Sequence, residues 1–477
     1  MTRFLINILI VFTVGIGYGQ NEITGFAPDF IGKNVSVYTY QDYVTRNRVE
    51  IGKGKVEEKD SSFHIAVLTN STIKIIVEIE RTEASMYLAP NTDYFVYFPA
   101  SDQPVAYVNS TTSIYFNDLD STDINYRILQ YHQWFDSYIA LNQNGVAQGK
   151  FLSYLDSFKL YVADAYRHVE DPYFITYVRY DLGEMEQTFG GNMRGKKRLN
   201  TYLEYIERFP IYYENDRYMK FLLAFYDKEF REYLPVTEQK IMEAIFKSSP
   251  TLLMQALKGD ILLAKPELRE LVMIDKLGKA YYREIGFRPN IVNILDSVST
   301  YALNNVNATV AKNVRDYITK LETGFPAPAL QLQTNEQEII SWSKYKGKFV
   351  YLNFFATWNE RALNDLAIMK KLVAKYNQDI EFVSLCMDKD STTYETFLEK
   401  NPEYNWEFHY LGPDHDLVKD YKVTNVPTYF LVDQEGFIFA APALAPSPNG
   451  KYQSVDQTMH EIKQALHPQE RIRVGEK

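Results

Sequence analysis

The spacing of apolar residues changes twice along the 477-residue chain, and this change constrains the fold more than any single motif. Between about residues 21 and 118, apolar and polar residues alternate with a period of two, as in half-buried β-strands. From about residue 120 to 322 the period becomes helical, and after residue 346 apolar runs alternate with helical stretches. Because the chain is too long for one ordinary core, the three patterns predict separate domains.

The first segment predicts a small antiparallel β-sandwich over residues 20–118. Its β-rich runs are separated by Gly, Asn and Asp turns and read NVSVYTY, SFHIAVL, TIKIIVEIE, ASMYLAP and DYFVYFP. His64 lies inside one of these runs without a His or Cys nearby, so we interpret it as a strand residue rather than a metal ligand.

The second segment predicts an α-helical domain over residues 119–323. Apolar residues recur at three- and four-residue steps, as in Ile124, Ile128, Tyr131, Phe135 and Ile139. His132 and His168 show no metal-ligand pattern, so we expect no metal. The chain holds 38 Tyr and 29 Phe. We interpret the aromatic stripes of this region as core, and binding of a saccharide or another envelope ligand remains an alternative.

The third segment predicts an α/β domain over residues 324–470. A buried strand, KFVYLNFFATW, is followed by the helix ALNDLAIMKKLVAKY and by a second strand, IEFVSLCMD. The right-handed crossover rule makes these two strands parallel. A hairpin turning at Gln434-Glu435-Gly436 and a last helix, VDQTMHEIKQALH, complete the pattern. We interpret FHYLGPDHDL, with His409, as a solvated polar loop rather than a metal site.

Several short sequence stretches of this segment occur in the order and spacing that are typical of a known family. GFPAPALQL, YKGKFVYLNFFATW, VTNVPTYFLVD and QEGFI together resemble the TlpA/ResA-like exported thioredoxins over roughly residues 324–468. The resemblance implies a thioredoxin fold. It also implies that Trp358 precedes a Cys-x-x-Cys motif, but the two cysteine positions are Asn359 and Ala362 here.

The chemistry of disulfide exchange needs the two missing thiols. A redox thioredoxin places its nucleophilic Cys at a helix N-terminus, where free backbone N–H groups favour the thiolate, and the resolving Cys three residues later. Asn359 forms no thiolate and Ala362 offers no sulfur. Asn359 does suit a helix N-cap, and Glu360 suits the first turn. We therefore predict a well-formed helix start without dithiol exchange.

The resemblance gives a second element, Val426-Pro427. It implies that Pro427 follows a cis peptide bond and faces the redox loop, with the backbone of Val426 pairing to an extended peptide. Two interpretations stay open. The cis bond shapes the fold alone, or a peptide groove persists, with the binding residues Trp358, Asn359, Glu360, Val426 and Pro427.

The only cysteine of the chain is Cys386, so no intramolecular disulfide forms. A single Cys inside a strand is typical of a small buried apolar residue. The alternative is a thiol-disulfide oxidoreductase or peroxidase acting through Cys386 alone, which would need an exposed thiol of low pKa.

The N-terminus predicts a cleavable signal peptide over residues 1–19 and export to the periplasm. Arg3 precedes the apolar run Phe4 to Gly15, and Gly17-Tyr18-Gly19 forms a small-x-small cleavage site. No Cys follows the run, which excludes a lipid anchor at that position, and no later stretch predicts stable membrane insertion.

Net charge and motifs limit the function further. The net charge of −10 argues against nucleic-acid binding, which requires neutralising a polyanion. No cofactor motif is present. We expect an exported, redox-inactive thioredoxin-like protein that binds or scaffolds a protein or peptide partner.

Overall fold

The computed structural model of the protein describes most of the chain. The described residues are 19–80, 82–100, 110–191, 194–227, 235–283, 285–330, 332–333, 339–413, 415–448 and 453–467. They form two compact units, the first ending at Ala311 and the second beginning at Lys312. The predicted signal peptide lies outside the described residues, except for Gly19. The domain boundaries given above stay predictions.

The first unit begins with two packed sheets. Their strands are β1 (Gly19–Phe26), β2 (Asn34–Tyr40), β3 (Arg48–Lys55), β4 (Ser62–Thr69), β5 (Ile73–Ile79), β6 (Thr82–Leu88), β7 (Tyr94–Tyr97), β8 (Ser110–Thr111) and β9 (Tyr115–Phe116). The strand orders are β4-β1-β7-β9 and β3-β2-β5-β6-β8. The predicted sandwich is confirmed, and it is antiparallel apart from the parallel pairs β1–β7 and β6–β8.

Side-chain alternation explains why these strands pack face to face. In β4, Phe63, Ile65 and Val67 are buried, while His64 is exposed and hydrogen-bonds to Thr24 across the sheet. The buried side chains of both sheets meet in one apolar core. Strand β4 therefore contributes one face to the core and one face to the surface, whereas Ile75 to Ile79 of β5 are buried on both faces.

Helices form the rest of the first unit, as predicted. They are α1 (Ile124–Leu141), α2 (Gln143–Ala147), α3 (Phe151–Ala165), α4 (Pro172–Phe189), α5 (Gly195–Tyr202), α6 (Asp216–Phe225), α7 (Pro235–Phe246), α8 (Pro250–Leu257), α9 (Pro266–Tyr281), α10 (Arg288–Tyr301) and α11 (Asn305–Thr319). The boundary between the two units falls within α11. None of the described helices is long and apolar enough to cross a membrane.

Sequence signals set many of the helix starts. Four helices (α4, α7, α8 and α9) begin with proline, whose missing N–H costs nothing in the first turn. Asp171 caps α4 by accepting hydrogen bonds from the N–H groups of Tyr173 and Phe174. On the predicted apolar face of α1, Ile124, Ile128 and Tyr131 are buried, and Phe135 and Ile139 are half-buried.

The second unit contains a mixed five-stranded sheet between helices. Its elements are β10 (Leu332–Gln333), β11 (Ile339–Ile340), β12 (Phe349–Phe355), α12 (Glu360–Tyr376), β13 (Ile380–Cys386), α13 (Ser391–Lys400), β14 (Glu407–Tyr410), α14 (Asp416–Asp420), β15 (Thr428–Val432), β16 (Ile438–Ala440) and α15 (Val455–Leu466). The strand order is β14-β13-β12-β15-β16. Strands β12 and β13 are parallel, as predicted.

Strand β12 is the centre of this sheet and is buried on both faces. Leu352 and Phe354 pack into one apolar cluster, and Tyr351 and Phe355 pack into another that includes α12. Alternate side chains therefore fill two cores. The arrangement confirms the predicted thioredoxin-like architecture and places the end of β12 beside the start of α12.

The interpretation of FHYLGPDHDL as a loop was wrong at both ends, because Phe408 to Tyr410 belong to a strand and Asp416 and Leu417 belong to α14. Residues Glu407–Tyr410 form the edge strand β14, parallel to β13. Burial of Glu407 opposes its ionisation, but hydrogen bonds from His409, Lys344 and Tyr345 lower the pKa of its carboxyl group to about 2. The anchored carboxylate thus holds this edge strand together with Phe408, which packs against the core.

Candidate functional site

The turn between β12 and α12 carries the first part of the site. Asn359 is the N-cap of α12, and its Oδ1 accepts a hydrogen bond from the backbone N–H of Ala362 at 3.0 Å. Glu360 lies in the first turn, where a carboxylate interacts favourably with the helix dipole. The predicted capping role of Asn359 is confirmed.

The other end of the Asn359 side chain reaches a distant loop. Its Nδ2 donates a hydrogen bond to the backbone carbonyl of Val426 at 2.9 Å. The Val426–Pro427 peptide bond is cis, as predicted. One amide group therefore joins the start of α12 to the cis-proline loop, although the two are 67 residues apart. The family resemblance implied that these two segments face each other, but it did not indicate a hydrogen bond from Asn359 to Val426.

The five predicted binding residues differ in what they expose. Trp358 is 60% exposed, and Glu360, two residues further along the chain, is also exposed. Asn359 and Pro427 are half-buried, whereas the side chain of Val426 is buried. Val426 can therefore contact a ligand through its backbone but not through its side chain.

A second carboxylate fixes the residues just before the cap. Asp388, which is almost fully buried, accepts hydrogen bonds from the N–H of Thr357 at 3.0 Å and from its hydroxyl at 2.6 Å. Both Asp388 oxygens thus bind the turn that precedes Trp358. The direction in which the chain leaves β12 is set by hydrogen bonds on either side of Trp358.

A buried hydrogen-bond network lies one helical turn beyond Ala362. Asp365 is fully buried and accepts hydrogen bonds from the Tyr429 hydroxyl at 2.6 Å and from the N–H of Ser447 at 3.2 Å. Burial, together with this carboxylate, raises the pKa of Tyr429 above its ordinary range. The sequence signal was available, since Asp365 interrupts the apolar face of α12, but its partners are 64 and 82 residues away.

Cys386 does not belong to the exposed site. It is the last residue of β13, pairs with Phe355 of β12 and is fully buried. Burial raises the pKa of its thiol far above the ordinary range. The predicted role of Cys386 as a small buried residue is confirmed. A nucleophilic thiol would need the opposite environment, exposed and with a lowered pKa.

The described residues give no support for a metal centre. No group of three or more His, Cys, Asp or Glu side chains is close enough to hold a metal ion in this part of the chain. His415 instead caps α14 by accepting a hydrogen bond from the N–H of Leu417. Asp414, which lies between His409 and His415 in the sequence, is outside the described residues.

Comparison with known proteins agrees with this geometry. Residues 347–438 match a family profile described as thioredoxin-like. The chain is 29% identical over 119 residues to the thiol-disulfide oxidoreductase ResA of Bacillus thuringiensis subsp. konkukian, covering 24% of this chain and 67% of that protein. It is 28% identical over 118 residues to the thioredoxin-like protein YneN of Bacillus subtilis, covering 25% of this chain and 69% of that protein.

A comparison with solved structures matches about a third of the chain. A thiol-disulfide oxidoreductase from Bacteroides fragilis is 24% identical, with a TM-score of 0.25, and covers 30% of this chain and 99% of that one. The sequence matches and the strand order identify the C-terminal domain as thioredoxin-like, similar to the ResA-type thiol-disulfide oxidoreductases.

The two hydrogen bonds of Asn359 can be separated by substitution. Asn359→Asp keeps an oxygen for the N–H of Ala362 but removes the donor to Val426, while Asn359→Ala removes both. We expect urea unfolding to show a loss of about 1 kcal/mol for Asn359→Asp and about 2 kcal/mol for Asn359→Ala. Asn405→Asp, at an exposed position, is the control. An Asn359→Asp protein as stable as the wild type would show that the bridge contributes nothing.

Cys386 should resist thiol reagents in the folded protein. We expect iodoacetamide to label it at least 100-fold more slowly than a thiol at exposed Lys371, introduced as Lys371→Cys in a Cys386→Ser chain, on the order of 3 kcal/mol of protection. Cys386 should remain the slower of the two thiols at both pH 7 and pH 9, because burial keeps the reagent away at either pH. Equal rates for the two thiols would contradict the burial of Cys386.

Proposed function

We propose that the C-terminal domain is a redox-inactive thioredoxin-like module that binds an extended segment of a protein partner. The observation that carries the proposal is the double hydrogen bond of Asn359. This amide occupies the position of the nucleophilic thiol, caps α12 and binds the carbonyl of Val426. The loop is therefore built and held in place without any group that transfers electrons.

The remaining chemistry of the chain supports redox inactivity. Disulfide exchange by this fold requires a thiolate at the helix start and a second thiol one turn later. The position of that second thiol is Ala362, whose methyl group is buried in the core beside α12. Cys386 is the only thiol, and its burial and raised pKa oppose nucleophilic attack. The single-cysteine enzyme is therefore disfavoured.

Surface features support a binding role. Trp358 exposes 60% of its side chain next to Asn359, and large aromatic side chains are frequent anchors of protein interfaces. The carbonyl of Val426 already accepts a hydrogen bond from Asn359, so it has one acceptor position left for a peptide N–H. We propose a contact made by Trp358, Asn359, Glu360, the Val426 backbone and Pro427.

The proposed setting is the periplasm. It rests on the signal-peptide pattern of residues 1–19 and on the likeness to thiol-disulfide oxidoreductases. The proposal needs no cofactor, because hydrogen bonding and apolar contact provide the interaction. Relatives named as oxidoreductases act on disulfides, and this chain would keep the substrate-facing surface without the exchange step.

Restoring the two thiols tests the redox proposal. Asn359→Cys/Ala362→Cys should form a disulfide and catalyse insulin reduction by dithiothreitol, while the wild type should show no turnover. Ala362→Cys alone is the control and should remain inactive. Wild-type turnover that disappears in Cys386→Ser would refute redox inactivity. A double variant that folds but shows no exchange activity would mean that residues 359 and 362 do not occupy the positions of the two redox cysteines.

Site-specific crosslinking tests the binding proposal. A photoreactive phenylalanine analogue in place of Trp358 should form a discrete crosslinked species in a periplasmic extract, because this side chain points away from the core. The same analogue in place of Phe439, which is 41% exposed on β16, is the matched control. Crosslinking of equal yield and pattern at both positions would mean that the Trp358 surface has no specific partner.

A further inference from the structure

The first unit contains a cavity of about 700 Å³ where the sandwich meets the helices. Segments 39–43 and 71–74 form the sandwich side, and segments 171–176 and 211–215 form most of the helical side. Its volume lies within the range of small-molecule binding sites. The thioredoxin-like function does not use this cavity.

Tyrosine side chains dominate the cavity wall. The lining includes Tyr40, Tyr43, Tyr173, Tyr212 and Tyr213. The rings of Tyr40 and Tyr43 lie 5.2 Å apart, on the sandwich side. Each ring offers an apolar face together with a hydroxyl group, so the wall can pack against C–H groups and hydrogen-bond at the same time.

The charges around the cavity are largely compensated within the protein. Lys74 forms an ion pair with Asp216 at 2.9 Å, and Asp216 also accepts a hydrogen bond from the Tyr87 hydroxyl. Asp171 accepts two backbone N–H groups at the start of α4. Lys74, the one cation of the described lining, is therefore already paired and does not attract an anionic ligand.

Two polar groups of the wall keep hydrogen-bonding capacity. Glu214 is exposed, and one of its carboxylate oxygens accepts a hydrogen bond from the Ser71 hydroxyl at 2.9 Å. The half-buried Tyr43 hydroxyl has no hydrogen-bond partner among the described residues. Burial and the nearby Asp216 raise the pKa of Tyr43, so its hydroxyl stays protonated and able to donate.

We propose that this cavity binds a short neutral oligosaccharide. A sugar ring presents C–H groups on its faces and hydroxyls at its edge, which matches tyrosine faces beside hydroxyl and carboxylate groups. A purely apolar ligand would cover the Tyr43 hydroxyl without giving it a hydrogen-bond partner, at a cost in free energy. An anion would meet the carboxylates of Asp171 and Glu214 without a free cation to bind it.

Calorimetric titration of the full chain tests the ligand class. The probes are maltotriose, cellotriose and N,N′,N″-triacetylchitotriose, with spermidine as a cationic probe and a trigalacturonate as an anionic probe. We expect at least one neutral trisaccharide to bind with a Kd on the order of 1 mM or tighter. Binding of spermidine or trigalacturonate alone, or of no probe, would overturn the proposal.

Three variants localise the binding. Tyr43→Ala, which removes the ring and hydroxyl, and Thr72→Trp, which adds a large ring to the lining between β4 and β5, should each weaken binding at least tenfold. Tyr301→Ala, at an 82% exposed position on α10, should leave the Kd unchanged. Circular dichroism identifies any variant that fails to fold. If Tyr43→Ala is misfolded, the binding result for Thr72→Trp decides the test. Binding that survives in both folded cavity variants would overturn the proposal.

Discussion

The C-terminal domain depends on the burial of β12 on both faces. Its alternate side chains fill two separate cores, and its backbone is paired with β13 on one side and β15 on the other. A shift by one residue would move each side chain into the wrong core, so the register is strongly fixed. The end of the strand, and with it the turn at Trp358, is consequently held at one place relative to the cis-proline loop.

Within that frame, hydrogen bonds hold the turn at the start of α12 in place. The Asn359 amide satisfies an N–H of the first helical turn and a carbonyl of the opposite loop, two groups that lie next to the position of the missing thiol. Two buried carboxylates hold the same region. Asp388 accepts hydrogen bonds from Thr357, and Asp365 accepts them from Tyr429 and Ser447. These polar groups thus bind one another, while Trp358 in the same turn stays 60% exposed.

Much of this domain was predictable from local patterns. The apolar run of β12, the periodic face of α12 and the capping chemistry of Asn359 are all properties of neighbouring residues. Strand β14 was not predictable in this way. It is four residues long, lies at the sheet edge and contains Glu407 and His409, so it lacks an apolar alternation. The Asp365–Tyr429 pair was missed because its members are far apart in sequence.

The sequence by itself determined the order of the three segments, the thioredoxin-like motif and the absence of a dithiol, because each depends on residue identity and short-range spacing. Tertiary structure decided which groups meet. It placed Asn359 against Val426, buried Cys386 in a central strand and brought tyrosines of the sandwich and the helices around one cavity. Contacts of this kind depend on how distant segments pack, and the spacing of residues along one segment carries no information about them.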